Sequence, residues 1–165
     1  MLHLAQAHWR AICAHAERAY PQECCGLLLG HAASTGDETI RTVAELWAAE
    51  NAWNAEAAAL ISNLLNRPQR NHSKGDRYWI EPAEMLAAMK HGRDRQLDII
   101  GVYHSHPDHP AVPSECDRAI AWPHYSYIIV SVSQGSAQDL LSWNLDQNHC
   151  FQAEPLICPD DAMTR

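Results

Sequence analysis

The chain has 165 residues, of which 47% are hydrophobic and 19% are charged. This composition suits a single globular domain with a sizeable core, and it excludes a disordered or collagen-like chain. The 12 Lys and Arg residues against 20 Asp and Glu residues give a formal net charge of −8, without any basic patch. Because nucleic acids and anionic membrane surfaces are bound through clustered basic residues, we expect neither as a partner.

Export and disulfide formation are also disfavoured. The first residues, MLHLAQAHWR, are too polar for a signal peptide, and no apolar run reaches the length of a membrane span. The six cysteines include no CxxC pair, and Cys24 and Cys25 lie next to each other in an apolar run. We therefore expect reduced, packed cysteines in a cytoplasmic protein, with Cys116 at a half-exposed helical position.

The first elements follow from apolar patterning. Alanine-rich residues 2–19 contain no Gly or Pro and predict a helix. The continuous apolar run at 23–30 (ECCGLLLG) predicts a buried strand. Residues 39–47 alternate and predict a second strand, which a loop at 31–38 joins to the first.

The remaining elements alternate between helices and strands. Residues 55–65 have helical spacing, whereas polar residues 66–76 contain a proline and a glycine and predict a loop. The elements predicted after this loop are a strand at 77–80, a helix at 82–95 with Met85, Leu86 and Met89 facing the core, a strand at 98–105, an irregular proline-rich loop at 107–113, a short helix at 114–121, and strands at 126–133, 139–145 and 150–157.

Two pairs of polar residues flank the proline-rich loop. His104 and His106 lie two apart at the end of a predicted strand, so both side chains point to the same face. Ser114 and Asp117 lie three apart at the start of a predicted helix and share a helical face. Each pair alone has an ordinary explanation, namely packed histidines or a helix cap.

Together the two pairs indicate a metal centre. One short loop joins them, so His104, His106 and Asp117 lie close enough to share an ion. Two imidazoles and one carboxylate leave the fourth position of a zinc ion for water, which is the arrangement of a catalytic site. Glu23, at the start of the first buried strand, is a candidate base for that water, although a lone Glu after a helix is more often a surface residue.

The pattern Glu23, His104-Ser105-His106-Pro107, Ser114-x-x-Asp117 resembles the JAMM motif of the MPN-domain metallopeptidases. The resemblance covers residues 20–158. It implies an α/β fold, with one domain at 1–158 built on a curved mixed sheet flanked by helices, and a C-terminal tail at 159–165. Residues 54–76 then read as an inserted loop or helix, which is either a substrate-gripping flap or a surface loop.

The same resemblance implies roles for the five residues. His104, His106 and Asp117 bind one zinc ion per chain. Glu23 is the general base that activates water and later protonates the leaving amine. Ser114 donates a hydrogen bond to the tetrahedral oxyanion.

Members of this family cut peptide or isopeptide bonds that follow the tail of ubiquitin-like proteins. The small bacterial members act on sulfur carriers that end in Gly-Gly. The resemblance therefore implies such a carrier as the partner, with its thin tail held in a narrow groove. The sequence leaves the oligomeric state open.

Two other functions compete with this interpretation. An MPN domain can bind a ubiquitin-like tail without cutting it, although such domains usually lack one or more motif residues. A zinc hydrolase of another class is the second alternative. However, the deaminase signature combines H-x-E with P-C-x-x-C, and the P-C-x-x-C part is absent from the sequence, as is the HExxH motif.

Overall fold

The structure is a computed structural model that describes residues 1–36, 38–69 and 71–158. The described residues form eight strands: β1 (Leu2–His3), β2 (Cys25–Thr35), β3 (Glu38–Ala49), β4 (Asp98–Pro107), β5 (Ser126–Ser133), β6 (Ser136–Leu145), β7 (Phe151–Glu154) and β8 (Leu156–Ile157). They also form four helices: α1 (Gln6–Ala19), α2 (Ala55–Leu65), α3 (Pro82–Asp94) and α4 (Glu115–Ile120). None of these helices is long and apolar enough to cross a membrane. The tail predicted at 159–165 lies outside the described residues.

All eight strands form one mixed sheet in the order β7-β6-β5-β4-β2-β3-β1-β8. Strand β4 pairs in parallel with β5, and β1 pairs in parallel with both β3 and β8, while the other pairs are antiparallel. Pro155 alone separates β7 from β8, although these strands are the two edges of the sheet. The sheet must therefore curl until its edges meet, which confirms the predicted α/β fold with a curved mixed sheet.

The two faces of β2 are both buried, because helices cover both sides of the sheet. Cys24 and Leu28 join a core cluster with α1, whereas Leu27 and Leu29 join a second cluster on the side of α3. This double burial explains why β2 is a continuous apolar run rather than an alternating one. It also fixes the start of β2 firmly against β4, which carries the histidine pair.

The segment predicted as an insertion is a wall of the domain rather than a detached loop. Its helix α2 buries Ala57 and Ile61 in a cluster with Trp53 and Cys116, and Cys116 lies on α4. Leu64 at the end of α2 is 64% exposed, whereas Trp53, just before α2, is only 6% exposed. Trp53 therefore packs beneath α2 and supports α4 from outside the sheet.

The structure corrects the predicted N-terminal helix and the first hairpin. Residues 2–3 form β1 instead of the first helical turn, because their backbone pairs with β3 and β8. The predicted loop at 31–38 is largely strand, since β2 and β3 continue their antiparallel ladder to Thr35 and Glu38. That extension is exposed, so it leaves no hydrophobic pattern in the sequence.

Two further predictions were wrong. Residues 77–80 form no strand, because the side chain of Asn51 and the backbone of Ala52 hold them in place of a ladder. Met85 packs against the core as predicted, beside the buried Ala88 and Gly92 of α3, whereas Leu86 and Met89 are more than half exposed. A Cβ at Gly92 would lie 2.6 Å from the Leu97 carbonyl oxygen, so the tight turn between α3 and β4 leaves no room for a side chain at Gly92.

Candidate active site

The candidate site lies where β4 ends and α4 begins. Because β4 and β5 are parallel neighbours, a crossover must join them, and α4 lies within that crossover. His104 and His106 occupy alternate positions of β4 and so share a face of the sheet. Their Nε2 atoms lie 3.0 Å apart.

Asp117 comes to the same point from the first turn of α4. Asp117 Oδ1 is 3.3 Å from His104 Nε2, and Asp117 Oδ2 is 3.6 Å from His106 Nε2. A capping box fixes the carboxylate, because Ser114 N donates to Asp117 Oδ2 at 2.6 Å and Asp117 N donates to Ser114 Oγ at 3.1 Å. The helix cap and the candidate ligand are thus the same structural unit.

Two different contacts orient the histidine rings. His106 Nδ1 lies 2.9 Å from the Pro110 carbonyl oxygen, which can only accept, so Nδ1 carries the hydrogen and Nε2 keeps a free lone pair. The fully buried His104 ring instead stacks on Tyr78 with ring centres 4.5 Å apart. His104 Nδ1 has no hydrogen-bond partner among the described residues, so packing holds this ring.

Ionisation at this point suits a metal ion. Burial lowers the pKa of His104, against the opposing effect of Asp117, and keeps its imidazole neutral. Burial acts to raise the pKa of Asp117, but His104 and His106 outweigh it and hold that pKa well below its usual range. Neutral imidazole and ionised carboxylate are the forms that bind zinc. The three ligand atoms lie within 4.8 Å of one another, so this buried group can hold a metal ion.

Glu23 reaches the same cavity from the start of β2. Cys25 pairs with His104 in the antiparallel ladder, and continuing that register by two residues places Glu23 beside His106. Both residues line a cavity of about 520 Å³, together with Ser114 and Asp117. Ser114 Oγ accepts the capping hydrogen bond, so its own hydroxyl hydrogen remains available to donate into this cavity.

The charge of Glu23 is opposed by its surroundings. Burial raises the pKa of Glu23 well above its ordinary value, the nearby Asp117 raises it further, and Arg77 acts in the opposite direction. No described residue makes a hydrogen bond to the Glu23 carboxylate, although the group is only 6% exposed. A buried carboxylate without fixed partners is a strong proton acceptor and can exchange its proton readily.

The cysteines do not compete for the chemistry. All six are free, and Cys24 and Cys25 are buried as expected. Cys116 was predicted to be half exposed but is 4% exposed, because α2 covers it. Burial raises the pKa of the Cys116 thiol to about 11, so it is not a thiolate at neutral pH. His109 lies at the rim of the cavity and is exposed.

Three cavity features were not apparent from the sequence. Tyr78, Arg77 and the Pro110 carbonyl contact or face the predicted residues, yet none belongs to the motif. Tyr78 and Arg77 belong to the segment wrongly predicted as a strand, and a backbone carbonyl has no sequence signature. The prolines of the 107–113 loop were the only indication in the sequence that its carbonyl groups are not used in a helix or a strand and can accept other hydrogen bonds.

The chain is similar to known proteins in sequence and in fold. A family model described as prokaryotic homologs of the JAB domain matches residues 5–146. A desampylase from Haloferax volcanii is 33% identical over 112 residues, which are 67% of this chain and 63% of that protein. The chain thus matches somewhat less than two thirds of the length of that relative.

Two solved structures resemble the whole chain. A solution structure from Desulfitobacterium hafniense is 26% identical, has a TM-score of 0.73, and is matched over 99% of this chain and 96% of that one. A solution structure from Salinibacter ruber is 34% identical, has a TM-score of 0.66, and is matched over 98% and 94% of the two chains. The chain belongs to the family of prokaryotic JAB-domain proteins.

Proposed function

We propose that this protein is a zinc-dependent peptidase or isopeptidase. Its substrate is the bond that follows the C-terminal Gly-Gly tail of a ubiquitin-like sulfur-carrier protein. The observation that carries the proposal is the placement of Glu23 and Ser114 in one cavity with His106 and Asp117, which form a buried group with His104. Family membership and the similarity to a desampylase support an isopeptidase role on a ubiquitin-like protein.

The donor set fits zinc, because two neutral imidazoles and a carboxylate are common ligands of catalytic zinc. Zinc held by His104, His106 and Asp117 would supply a Lewis acid for the amide carbonyl and make water more acidic. The chain's own residues supply the remaining steps. Glu23 accepts a proton from the attacking water as its oxygen bonds to the carbonyl carbon.

The remaining steps of the reaction use the side chains of Ser114 and Glu23. The Ser114 hydroxyl donates a hydrogen bond to the oxyanion that develops at the carbonyl oxygen. As the C–N bond breaks, Glu23 returns its proton to the leaving amine, which balances the reaction. A pKa raised by burial suits both halves of this task, because the carboxyl group must take up and release one proton near neutral pH.

The test is cleavage of a small ubiquitin-like sulfur carrier that is extended by a few residues after Gly-Gly. Intact mass spectrometry reads the product of the zinc-loaded protein. We expect cleavage directly after Gly-Gly, loss of cleavage with a chelator, and recovery when zinc is restored. A carrier with both glycines replaced by alanine tests recognition of the tail.

Glu23→Gln separates catalysis from metal binding. The variant should keep one zinc per chain and lose cleavage by about 10²–10⁴-fold. Glu115→Gln is the matched control, because Glu115 is an exposed carboxylate on α4, and it should cleave normally. Zinc binding without cleavage in the wild type would reject the peptidase. Retained binding of the Gly-Gly tail would then support a non-cleaving binding module.

A further inference from the structure

Asn51 joins three backbone segments beneath the cavity. It follows β3, is only 8% exposed, and uses its whole carboxamide. Asn51 Nδ2 donates to the carbonyl oxygens of Glu23 at 3.0 Å and Arg77 at 2.9 Å. Asn51 Oδ1 accepts from the backbone N–H groups of Trp53 at 3.0 Å and Trp79 at 3.3 Å. A primary amide has two donor hydrogens and two acceptor lone pairs, so this side chain is fully satisfied.

The segment that meets Asn51 has no regular structure of its own. Residues 71–80 form neither helix nor strand, yet Arg77 and Tyr78 from this segment line the cavity. Besides the bonds of Asn51, Glu23 N donates to Lys74 O at 2.7 Å, and Ala52 N donates to Trp79 O at 2.9 Å. At the start of the segment, Trp53 Nε1 donates to His72 O at 3.3 Å, and His72 N donates to Gln69 O at 3.2 Å. Without a strand ladder, these few bonds set the distance between the segment and Glu23.

No described residue hydrogen-bonds the Glu23 carboxylate, so its position depends on the backbone of Glu23 and on the packing around the side chain. Asn51 holds the carbonyl of Glu23, and Lys74 holds its N–H. A shift at either bond moves the carboxylate relative to His106 and Asp117. Displacements near 1 Å at a reacting group can cost about 10²-fold in rate.

We propose that Asn51 is a positioning residue that fixes Glu23 and the Arg77 wall of the cavity in their working geometry. The proposal rests on the peptidase function proposed above. Asn51 does not line the cavity, and it acts through the backbone of Glu23 and Arg77. Its loss should therefore lower kcat while the metal site remains intact.

Asn51→Asp isolates the two donated hydrogen bonds. The variant keeps the shape and the oxygen that accepts from Trp53 and Trp79, but it turns a second oxygen toward the carbonyls of Glu23 and Arg77. We expect kcat for the Gly-Gly carrier to fall about 10–100-fold, as is typical for residues that support a catalytic group. KM should change less than about threefold, and metal analysis should still find one zinc per chain.

A double-mutant cycle tests whether the effect passes through Glu23. In the Glu23→Gln background, Asn51→Asp should lower the residual kcat less than about threefold, because the group it positions is already inactive. Ser142→Ala is the control for destabilisation. It removes another buried hydrogen bond, from Ser142 Oγ to Glu154 Oε2 at 2.7 Å, and should lower the melting temperature without changing kcat.

Several results would overturn the proposal. An unchanged kcat in Asn51→Asp, an equal loss in both backgrounds, or loss of zinc would each show that Asn51 has only a structural role. If circular dichroism shows that Asn51→Asp does not fold, Asn51→Ser, which is too short to reach both carbonyls, replaces it with the same expected results. A wild type that binds zinc but cleaves nothing would reject the proposed function itself, and the role of Asn51 with it.

Discussion

The proposed metal ligands form one side of the site, the ligand side: His104 and His106 come from one strand, and Asp117 comes from the next helix in the chain. Strand alternation and a capping box position these side chains within a span of 14 residues. The proposed base, Glu23, forms the other side, the base side, and it precedes β2. Its backbone carbonyl accepts a hydrogen bond from Asn51, and its N–H donates to Lys74 in the irregular segment 71–80. The ligand side is therefore local and regular, whereas the base side depends on contacts between distant segments.

The two sides should respond differently to mutation. No neighbouring side chain can take the place of a lost metal ligand, so the loss of one ligand should abolish metal binding. The base side depends on several weak bonds, each worth about 0.5–1.5 kcal/mol, so single changes there should give graded effects. The electrostatics differ as well, because Asp117 has the two imidazoles beside it while burial opposes the charge of Glu23.

Asp117→Asn should have the largest effect. The amide oxygen can still accept from Ser114 N, so the cap of α4 survives, but the anionic ligand is lost. We expect no zinc after dialysis and no detectable cleavage, by metal analysis and mass spectrometry. Asp98→Asn, at the exposed opposite end of β4, should behave as wild type. Full zinc content and activity in Asp117→Asn would remove Asp117 from the ligand set.

Ser114→Ala should have the next largest effect, because Ser114 belongs to both the cap and the cavity. Loss of an oxyanion donor typically lowers kcat about 10²–10³-fold. Loss of the cap should also lower the free energy of unfolding by about 1 kcal/mol. Kinetics and urea unfolding measure the two effects separately.

Asn54→Ala is the matched control for the cap. Asn54 caps α2 by accepting from Glu56 N and Ala57 N, both at 2.9 Å. The variant should lose about 1 kcal/mol of stability with kcat unchanged. If both variants lose stability and neither loses kcat, Ser114 acts only as a cap.

The same contrast explains what the sequence could reveal. Spacings of two residues in a strand and three in a helix placed His104, His106, Ser114 and Asp117 together. Long apolar runs predicted β4 and β5 with few errors at their ends, and they predicted β2 as far as residue 30 but not its exposed extension to Thr35. These signals are local, because only the loop between β4 and α4 separates the histidine pair from Ser114 and Asp117.

The wrong predictions of secondary structure fall where contacts between distant parts of the chain determine the local structure. Leu2 lies in a strand because β3 and β8 pair with it, although its own neighbours favour a helix. Residues 77–80 resemble a strand, but Asn51 takes up the backbone groups that a ladder would use. No spacing in the sequence connects Asn51 with Glu23, 28 residues earlier, so its contacts are visible only in the folded chain.

The effect of Glu23→Gln on stability, as distinct from its loss of cleavage, should be the smallest of these effects and opposite in sign, because in the metal-free protein the variant should stabilise the fold. Burial and Asp117 both raise the pKa of Glu23, so the folded state binds its proton more tightly than the unfolded state does. Wild-type stability therefore decreases as pH rises above the unfolded pKa of about 4.3 and toward the higher folded value. Glutamine carries no charge and avoids this loss.

Thermal unfolding with a chelator, between pH 4 and pH 7, measures the difference. We expect the melting temperature of Glu23→Gln to exceed that of the wild type by an amount that grows with pH. The matched variant Glu115→Gln should show no such growth, because the Glu115 side chain is 57% exposed and remains hydrated.

A Glu23→Gln protein less stable than wild type at pH 7 would mean that the ionised carboxylate has partners that stabilise its charge. The base side would then be as firmly held as the ligand side. A variant that is more stable and inactive would instead indicate that the fold retains an unfavourable buried carboxylate because proton transfer requires it.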